Sequence, residues 1–481
     1  MKQEFNIAER VLATAEQYPD RVAFRTQHAI VKYGRFGEMV LSHAFHMRSR
    51  GISRASRICI TGEGPVAQVA TALACALLGC SWVSGAAAAA HSELLGLTHV
   101  IHTGREEPPV IGRLIRIEPS WFEPQPVTAD DFEGFASPDD IWSVMHSSGT
   151  TGATKYMPIT AVAALRRFSL DAYDYVRDRP PVLGCLMPFL SAWGMEFVFN
   201  GLITGGTVVK SDDLKAMRDG GVTTVVGSPA QYLPLCEKSP PFEKKIMCGV
   251  IGGAHCSDQF FDRMLERFDL VQHAFGSTEM GRISFNRFGP GVANRRSVGK
   301  PIPSAAVEIV DDNDQPLPPM TTGALRMRST APIAGYVGGD SHALRGGWFY
   351  SGDTAFISPE GELTIVGRMD DLINVGGAKL DANALDDTIA AADGVKEGFC
   401  FLQRNSSGAD ELAVVIVPGS AGEAGKAVES VRTNLLAKFG RRATVRKIYV
   451  ATAIPKNENG KIARNMLAKV AEESTPFVFV G

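Results

Sequence analysis

The chain has 481 residues, with 49 Lys plus Arg against 52 Asp plus Glu, a net charge of −3, and 45% hydrophobic and 21% charged residues. That balance excludes disorder, collagen and coiled coil as descriptions of the whole, and gives no reason to expect a nucleic-acid partner. At roughly 100–200 residues per domain, two or more cores are expected.

From the N-terminus, residues 8–49 read as helix, strand and helix, with strand pieces at Val22–Phe24 and Ile30–Tyr33. Arg57–Ile60 reads as a buried strand. Pro65–Ala90 carries no charge and is long enough for a membrane span. Gln68, Gly79, Ser81, Ser84 and Gly85 interrupt it, so a buried helix over Val66–Leu78 and a strand near Ser81–Ser84 are expected, with no integral membrane association. Ile141–Met145, Val208–Val209, Val222–Val226 and Ile246–Ile251 are further strand candidates, separated by helical stretches. This alternation predicts an α/β (mixed α+β) fold with helices on sheet faces. After about Gly289 the texture changes to alternating runs at Val307–Val310, Gly323–Arg328 and Glu362–Val366, which predict an antiparallel, barrel-like region. Gly367–Asp371 reads as a joint, and 418–426 as a surface loop. Beyond it come helices over Ala382–Ala391 and Ala427–Phe439 and strands over Glu411–Val417 and Lys447–Val450. The 8 cysteines form no CxxC pair and lie in apolar contexts, so free buried thiols are expected. The first residues lack the apolar run of a signal peptide, and a cytoplasmic location is the default expectation.

The strongest local signal is Ser147-Ser148-Gly149-Thr150-Thr151-Gly152-Ala153-Thr154-Lys155, directly after an apolar strand. Glycines expose backbone amides, hydroxyls add donors, and Lys155 supplies a mobile positive charge, a set suited to a polyphosphate. The glycine spacing differs from GxxxxGK[ST], and a solvated Ser/Thr/Gly loop is the plain alternative.

This loop resembles the phosphate loop of the adenylate-forming superfamily, which includes acyl-CoA synthetases, peptide-synthetase adenylation domains and luciferases. Thr154 stands where proline is usual. Four more segments fit in family order: Phe275-Gly276-Ser277-Thr278-Glu279, Trp348–Asp353, Gly367–Gly377 and Pro455–Lys461. The opening, Glu16–Phe24, fits as well, so the resemblance covers essentially the whole chain. It implies an N-terminal adenylation core over 1–368, a hinge at 369–371 and a small mobile C-terminal domain over 372–481.

The resemblance also implies roles. Ser147–Gly152 and Lys155 would hold the phosphates of ATP. Thr278 would contact the α-phosphate and Glu279 would bind Mg²⁺, for which a carboxylate is a suitable hard ligand. Gly252, Gly253, Ala254, Phe275 and Gly276 would line adenine, with Phe275 replacing the common Tyr. Asp353 would accept from the ribose hydroxyls and Arg368 would touch ribose or phosphate. Lys461 would reach the carboxylate and α-phosphate during adenylation. Asp370 would be the pivot about which the C-terminal domain turns for thiol attack; Lys379 is a weaker candidate for that second state.

Phe189, Leu190, Trp193 and Gly194, with His273 and Met280, are the expected acyl-pocket residues. Leu190 stands where amino-acid-activating relatives carry Asp, and an apolar side chain cannot pair an ammonium, so an aryl or medium acyl carboxylate is expected rather than an α-amino acid. The acceptor thiol would belong to coenzyme A or to the phosphopantetheine of an acyl carrier protein; the oligomeric state is left open. Two other readings stand beside this one: an acyl-adenylate-forming ligase with a non-thiol acceptor, and a non-catalytic nucleotide-binding relative.

Overall fold

The computed structural model describes residues 4–104, 113–148, 154–168, 180–254, 256–292, 295–339, 342–369, 372–375, 378–404, 410–455, 464–474 and 476–479. Two mainly parallel sheets form the larger part. One has six strands, in the order Arg113–Arg116, His99–His102, Arg57–Thr61, Ser81–Ser84, Ile141–Ser148 and Thr154–Thr160. The other has eight, with Val182–Cys185, Thr224–Gly227, Ile246–Gly252 and Phe268–Ser277 adjacent and parallel. The expected helix is observed as Pro65–Leu78, and it lies between other layers. Its uncharged sequence follows from that: every residue from Val69 to Leu78 is buried. With helices Ile7–Gln17, Tyr33–Ser49 and Ala192–Ile203 it contributes to one continuous core that reaches strands of both sheets. No helix among the described residues is long and apolar enough to cross a membrane.

Each parallel sheet ends in an antiparallel hairpin, and each hairpin carries one of the sequence motifs. Ile141–Ser148 pairs with Thr154–Thr160, with Ser148 opposite Thr154. Phe268–Ser277 pairs with Gly281–Phe288, with Ser277 opposite Gly281, so Thr278, Glu279 and Met280 form the connection. Antiparallel pairing permits such short connections, which hold functional groups on rigid strand ends.

The later region is antiparallel, as its alternation predicts, in the order Ser297–Gly299, Leu363–Arg368, Trp348–Ile357, Gly323–Ser329 and Ala305–Val310. Among the described residues this path is open at both ends rather than closed into a barrel. Gly367 and Arg368 belong to its strand Leu363–Arg368 rather than to a joint. The remainder has its own core, with the ribbon Leu372–Val375/Ala378–Asp381, a four-stranded sheet, and helices Ala382–Ala390 and Ala424–Phe439. The expected loop over 418–426 is shorter than its composition suggests: Pro418 ends a strand, and the helix begins at Ala424 because Ala427 and Val428 pack into that core. All 8 cysteines are free and buried, as expected.

Candidate active site

The two motif hairpins are stitched together by the segment Ile333–Val337. Ile333 donates its amide to the Glu279 carbonyl at 2.8 Å, Ala334 to the Pro158 carbonyl at 2.8 Å, and Val337 to the Tyr156 carbonyl at 2.9 Å. The strand that bears Lys155 and the turn that bears Glu279 are therefore held by one strap. From the same strap, the Tyr336 hydroxyl donates to Glu279 Oε1 at 2.9 Å. Lys155 is exposed, and its Nζ lies 5.7 Å from the centre of the Tyr336 ring. One aromatic side chain thus faces both the expected phosphate cation and the expected metal carboxylate. No sequence motif pointed to Tyr336.

Arg167 was missed for the same reason. It lies on helix Ala161–Phe168 and is buried. Its guanidinium donates to the carbonyls of Ala331 at 2.9 Å, Thr278 at 3.0 Å and Glu279 at 3.2 Å. Five donors in a fixed fork suit Arg for gathering carbonyls from two segments at once. Burial lowers its pKa, opposed by the carboxylates of Glu196 and Glu279.

The Glu279 side chain fits a magnesium ion in one specific way. It is only half-buried, with one oxygen occupied by Tyr336. No group of three or more His, Cys, Asp or Glu that could hold a metal occurs among the described residues. A single carboxylate suits Mg²⁺, which commonly keeps waters and takes its other oxygens from substrate phosphates.

Phe275 is half-buried at a bulge in strand Phe268–Ser277 and packs against the core of the antiparallel sheet. Gly252 ends its strand at a close approach: a Cβ there would lie 2.6 Å from the Ala274 carbonyl oxygen and 3.0 Å from the Trp193 ring. The expected adenine segment and the expected acyl-pocket tryptophan are thus in contact. Gly253 and Ala254 follow on the surface side. Trp193 also meets Phe197 edge-on at 5.7 Å. Gly194 has no room for a side chain, since its Cβ would stand 2.1 Å from the Pro188 carbonyl oxygen. Ser191 caps this helix by accepting from the Gly194 amide at 3.1 Å.

Other expected pocket residues lie deeper. Phe189 stacks on Phe24 at 6.0 Å, and both it and Leu190 belong to the main core. Met280 is buried in the core of the antiparallel sheet. His273 packs edge-on against Phe261 of helix Asp258–Leu265 at 5.7 Å. Phe199 packs against Trp142 and Phe168, so it is a core residue.

Asp353 and Arg368 stand directly opposite on paired strands, with Oδ1 and Nη1 3.7 Å apart. Asp353 therefore sits in a strand, and its amide donates to Ser351 Oγ at 3.2 Å. Ser147 and Ser148 end their strand, but their side chains, together with Gly149, Thr150, Thr151, Gly152, Asp370 and Lys461, lie outside the described residues.

A profile of the family described as AMP-binding enzyme matches residues 11–337. The chain belongs to that family. Relatives include the oxalate–CoA ligase of Saccharomyces cerevisiae, 26% identical over 72% of this chain and 66% of that protein. The 2-succinylbenzoate–CoA ligase of Bacillus mycoides is 22% identical over 95% of this chain and 97% of its own. With the first of these, the AMP-binding chain matches slightly less than two thirds of the relative's length. Among solved structures, O-succinylbenzoate coenzyme A synthetase from Bacillus subtilis in complex with ATP and magnesium ion has a TM-score of 0.81 at 20% identity, covering 95% of this chain and 99% of that one. This AMP-binding enzyme therefore has the fold of adenylate-forming proteins, antiparallel region included.

Proposed function

We propose that the chain activates a non-amino-acid carboxylate, aryl or medium acyl, to an acyl-adenylate with release of pyrophosphate, then transfers the acyl group to a thiol. The acceptor is coenzyme A in this reading, as in the names of the relatives, with a phosphopantetheinyl carrier protein as the alternative on the same arm; the site of action is the cytoplasm. The observation that carries the proposal is the strap Ile333–Val337, which draws Lys155, Tyr336 and Glu279 together.

Joining two anions requires that negative charge be neutralised where the carboxylate meets the α-phosphate. Lys155 and the residue 147–152 segment supply cation and donors from one hairpin, and Thr278 and Glu279 supply a hydroxyl and a carboxylate from the other. Magnesium, when bound at Glu279, contributes further charge neutralisation. Asp353 and Arg368 orient the ribose, while Gly252, Gly253, Ala254, Phe275 and Gly276 frame adenine. Trp193 separates that frame from the acyl side, with Gly194 shaping the wall and Phe189 and Leu190 packed in the core behind it. Lys461 acts from the C-terminal domain, 372–481, which turns about Asp370 within 369–371.

The test is ATP–pyrophosphate exchange across a panel of aryl, fatty and hydroxy acids, followed by thioester assay with coenzyme A. An aryl or medium acyl acid is expected to drive exchange. Exchange without any thioester product would favour a non-thiol acceptor. ATP binding without exchange for any acid would make the chain a non-catalytic relative.

A further inference from the structure

Glu279 and Lys155 carry opposite charge on neighbouring hairpins, yet no ion pair joins them among the described residues. A direct pair would occupy both groups before a nucleotide arrives. Tyr336 stands against both instead. Its hydroxyl donates to Glu279 Oε1 at 2.9 Å, and Lys155 Nζ lies 5.7 Å from the ring centre, within reach of a cation–π attraction.

The backbone of each partner is fixed independently of this contact. The Glu279 carbonyl accepts from the Ile333 amide at 2.8 Å and from Arg167 Nη2 at 3.2 Å. Tyr336 is clamped to the other hairpin, since the amides of Ala334 and Val337 on either side of it donate to the Pro158 and Tyr156 carbonyls at 2.8 and 2.9 Å. The Glu279 side chain keeps several rotatable bonds beyond that fixed backbone, and ordering them needs a partner. The Tyr336 hydroxyl is the one hydrogen bond on its carboxylate among the described residues. A phenol is a neutral donor. It holds one oxygen without cancelling the negative charge, which an arginine or lysine in its place would do.

We infer that Tyr336 is a positioning residue for the metal site: its hydroxyl holds the Glu279 carboxylate so that the other oxygen is left for Mg²⁺, and its ring keeps Lys155 for phosphate rather than for Glu279. This rests on the functional reading above. The two ends of the side chain carry separate tasks, and separate substitutions remove them.

The test is the Kd for ATP by calorimetry, in excess Mg²⁺ and again in EDTA. The proteins are wild type, Tyr336→Phe, Tyr336→Leu, Glu279→Gln, and Tyr336→Phe combined with Glu279→Gln, each checked for folding by thermal melt. The ratio of the two constants is the gain in affinity that Mg²⁺ brings. Tyr336→Phe is expected to lower this gain about tenfold, the low end for loss of a group that orients a metal ligand, while its Kd in EDTA stays at the wild-type value because the ring remains. Tyr336→Leu should lose the same gain and also bind ATP about two- to fivefold more weakly in EDTA, because Lys155 loses its ring. In the Glu279→Gln background, Tyr336→Phe should change neither constant, whereas a merely structural hydroxyl would weaken binding again. An undiminished gain in Tyr336→Phe, or equal losses with and without Mg²⁺, overturns the inference. Equal affinity of Tyr336→Leu and Tyr336→Phe in EDTA overturns the part given to the ring. Should Tyr336→Phe not fold, Tyr336→Leu decides, since it lacks the same hydroxyl, and an undiminished gain there overturns the inference. A gain that survives Glu279→Gln overturns the reading of Glu279 as the metal carboxylate, and this inference with it.

Discussion

Arg167 gathers three carbonyls from two segments that are more than a hundred residues away in sequence. Its role depends on fork geometry rather than on charge alone, which separates two substitutions. Arg167→Met takes the guanidinium away from three carbonyls, of which that of Glu279 keeps the Ile333 amide, a loss of about 3–5 kcal/mol by analogy with broken buried polar pairs. Arg167→Lys keeps the charge but presents a single point that cannot serve all three oxygens. Both variants are expected to lower pyrophosphate exchange by at least tenfold, with urea unfolding reporting the stability. Full exchange in Arg167→Lys would mean that charge suffices and the fork does not matter. Lys155 is a contrasting case, because it is exposed and its ammonium lies over the Tyr336 ring. Lys155→Ala should leave the unfolding midpoint unchanged while reducing exchange by about 10²–10³, the range for removal of a group that stabilises developing charge. Loss of stability in parallel with loss of rate would point to a structural lysine instead.

At the scale of elements, the helix Ala192–Ile203 is set by the turn that precedes it. Gly194 sits under the Pro188 carbonyl, and Ser191 caps the helix from the same turn. A methyl at residue 194 meets backbone rather than a flexible side chain, so the helix start has to move. Gly194→Ala is expected to cost about 1–3 kcal/mol, as overpacking does, and to raise the KM for the carboxylate more than that for ATP; an unaffected carboxylate KM would take this helix out of the acyl site. Most element positions were legible because each has its own period: uncharged Pro65–Leu78 for a helix buried on all sides, and β-branched runs for parallel strands. Boundaries were legible only where chemistry marks them, which is why Arg368 was read as a joint and not as the last residue of a strand. Tyr336 and Arg167 were illegible because their meaning lies in long-range pairing, and a lone Tyr or Arg carries no local signature. The same is true of His43 on helix Tyr33–Ser49. Thr71 donates to the Ala67 carbonyl at 2.8 Å, so its oxygen accepts from His43 Nδ1 at 3.0 Å, and Nε2 is buried with no partner among the described residues. Burial, aided by His46, pushes this imidazole down to about 3. The native state therefore keeps it neutral while the unfolded chain takes up a proton below about 6.5, so stability falls as pH falls through that window. Between pH 6.5 and 5 this group alone should remove about 2 kcal/mol. Urea titrations at the two pH values should show a smaller drop in His43→Asn, whose amide reproduces the Nδ1 donor; an identical drop would assign the acid sensitivity elsewhere.

On the scale of the whole molecule, the C-terminal part touches the larger part through ion pairs that are weak by nature. Arg296 lies 3.5 Å from Asp387, and Lys396 lies 3.8 Å from Glu237. Three of these four side chains are about half exposed, and such pairs typically contribute 0–1 kcal/mol. Pairs this weak can be exchanged for others at little cost, which is what a two-step reaction on one site would require. The chain between the last strand of the antiparallel sheet and the first strand of the C-terminal ribbon is only residues 369–371. A pivot within those residues would concentrate the whole rotation in a few backbone dihedrals. Proline at residue 370 fixes one of them and constrains the residue before it. If adenylation and thiol transfer use different orientations, Asp370→Pro should slow thioester formation at least tenfold more than pyrophosphate exchange, because only the second step follows the turn. The measurement is single-turnover formation of acyl-adenylate and of thioester on the same preparation. Equal slowing of the two steps would mean that Asp370 is not the pivot, and that the lightly held ion pairs report a fixed arrangement rather than one of two.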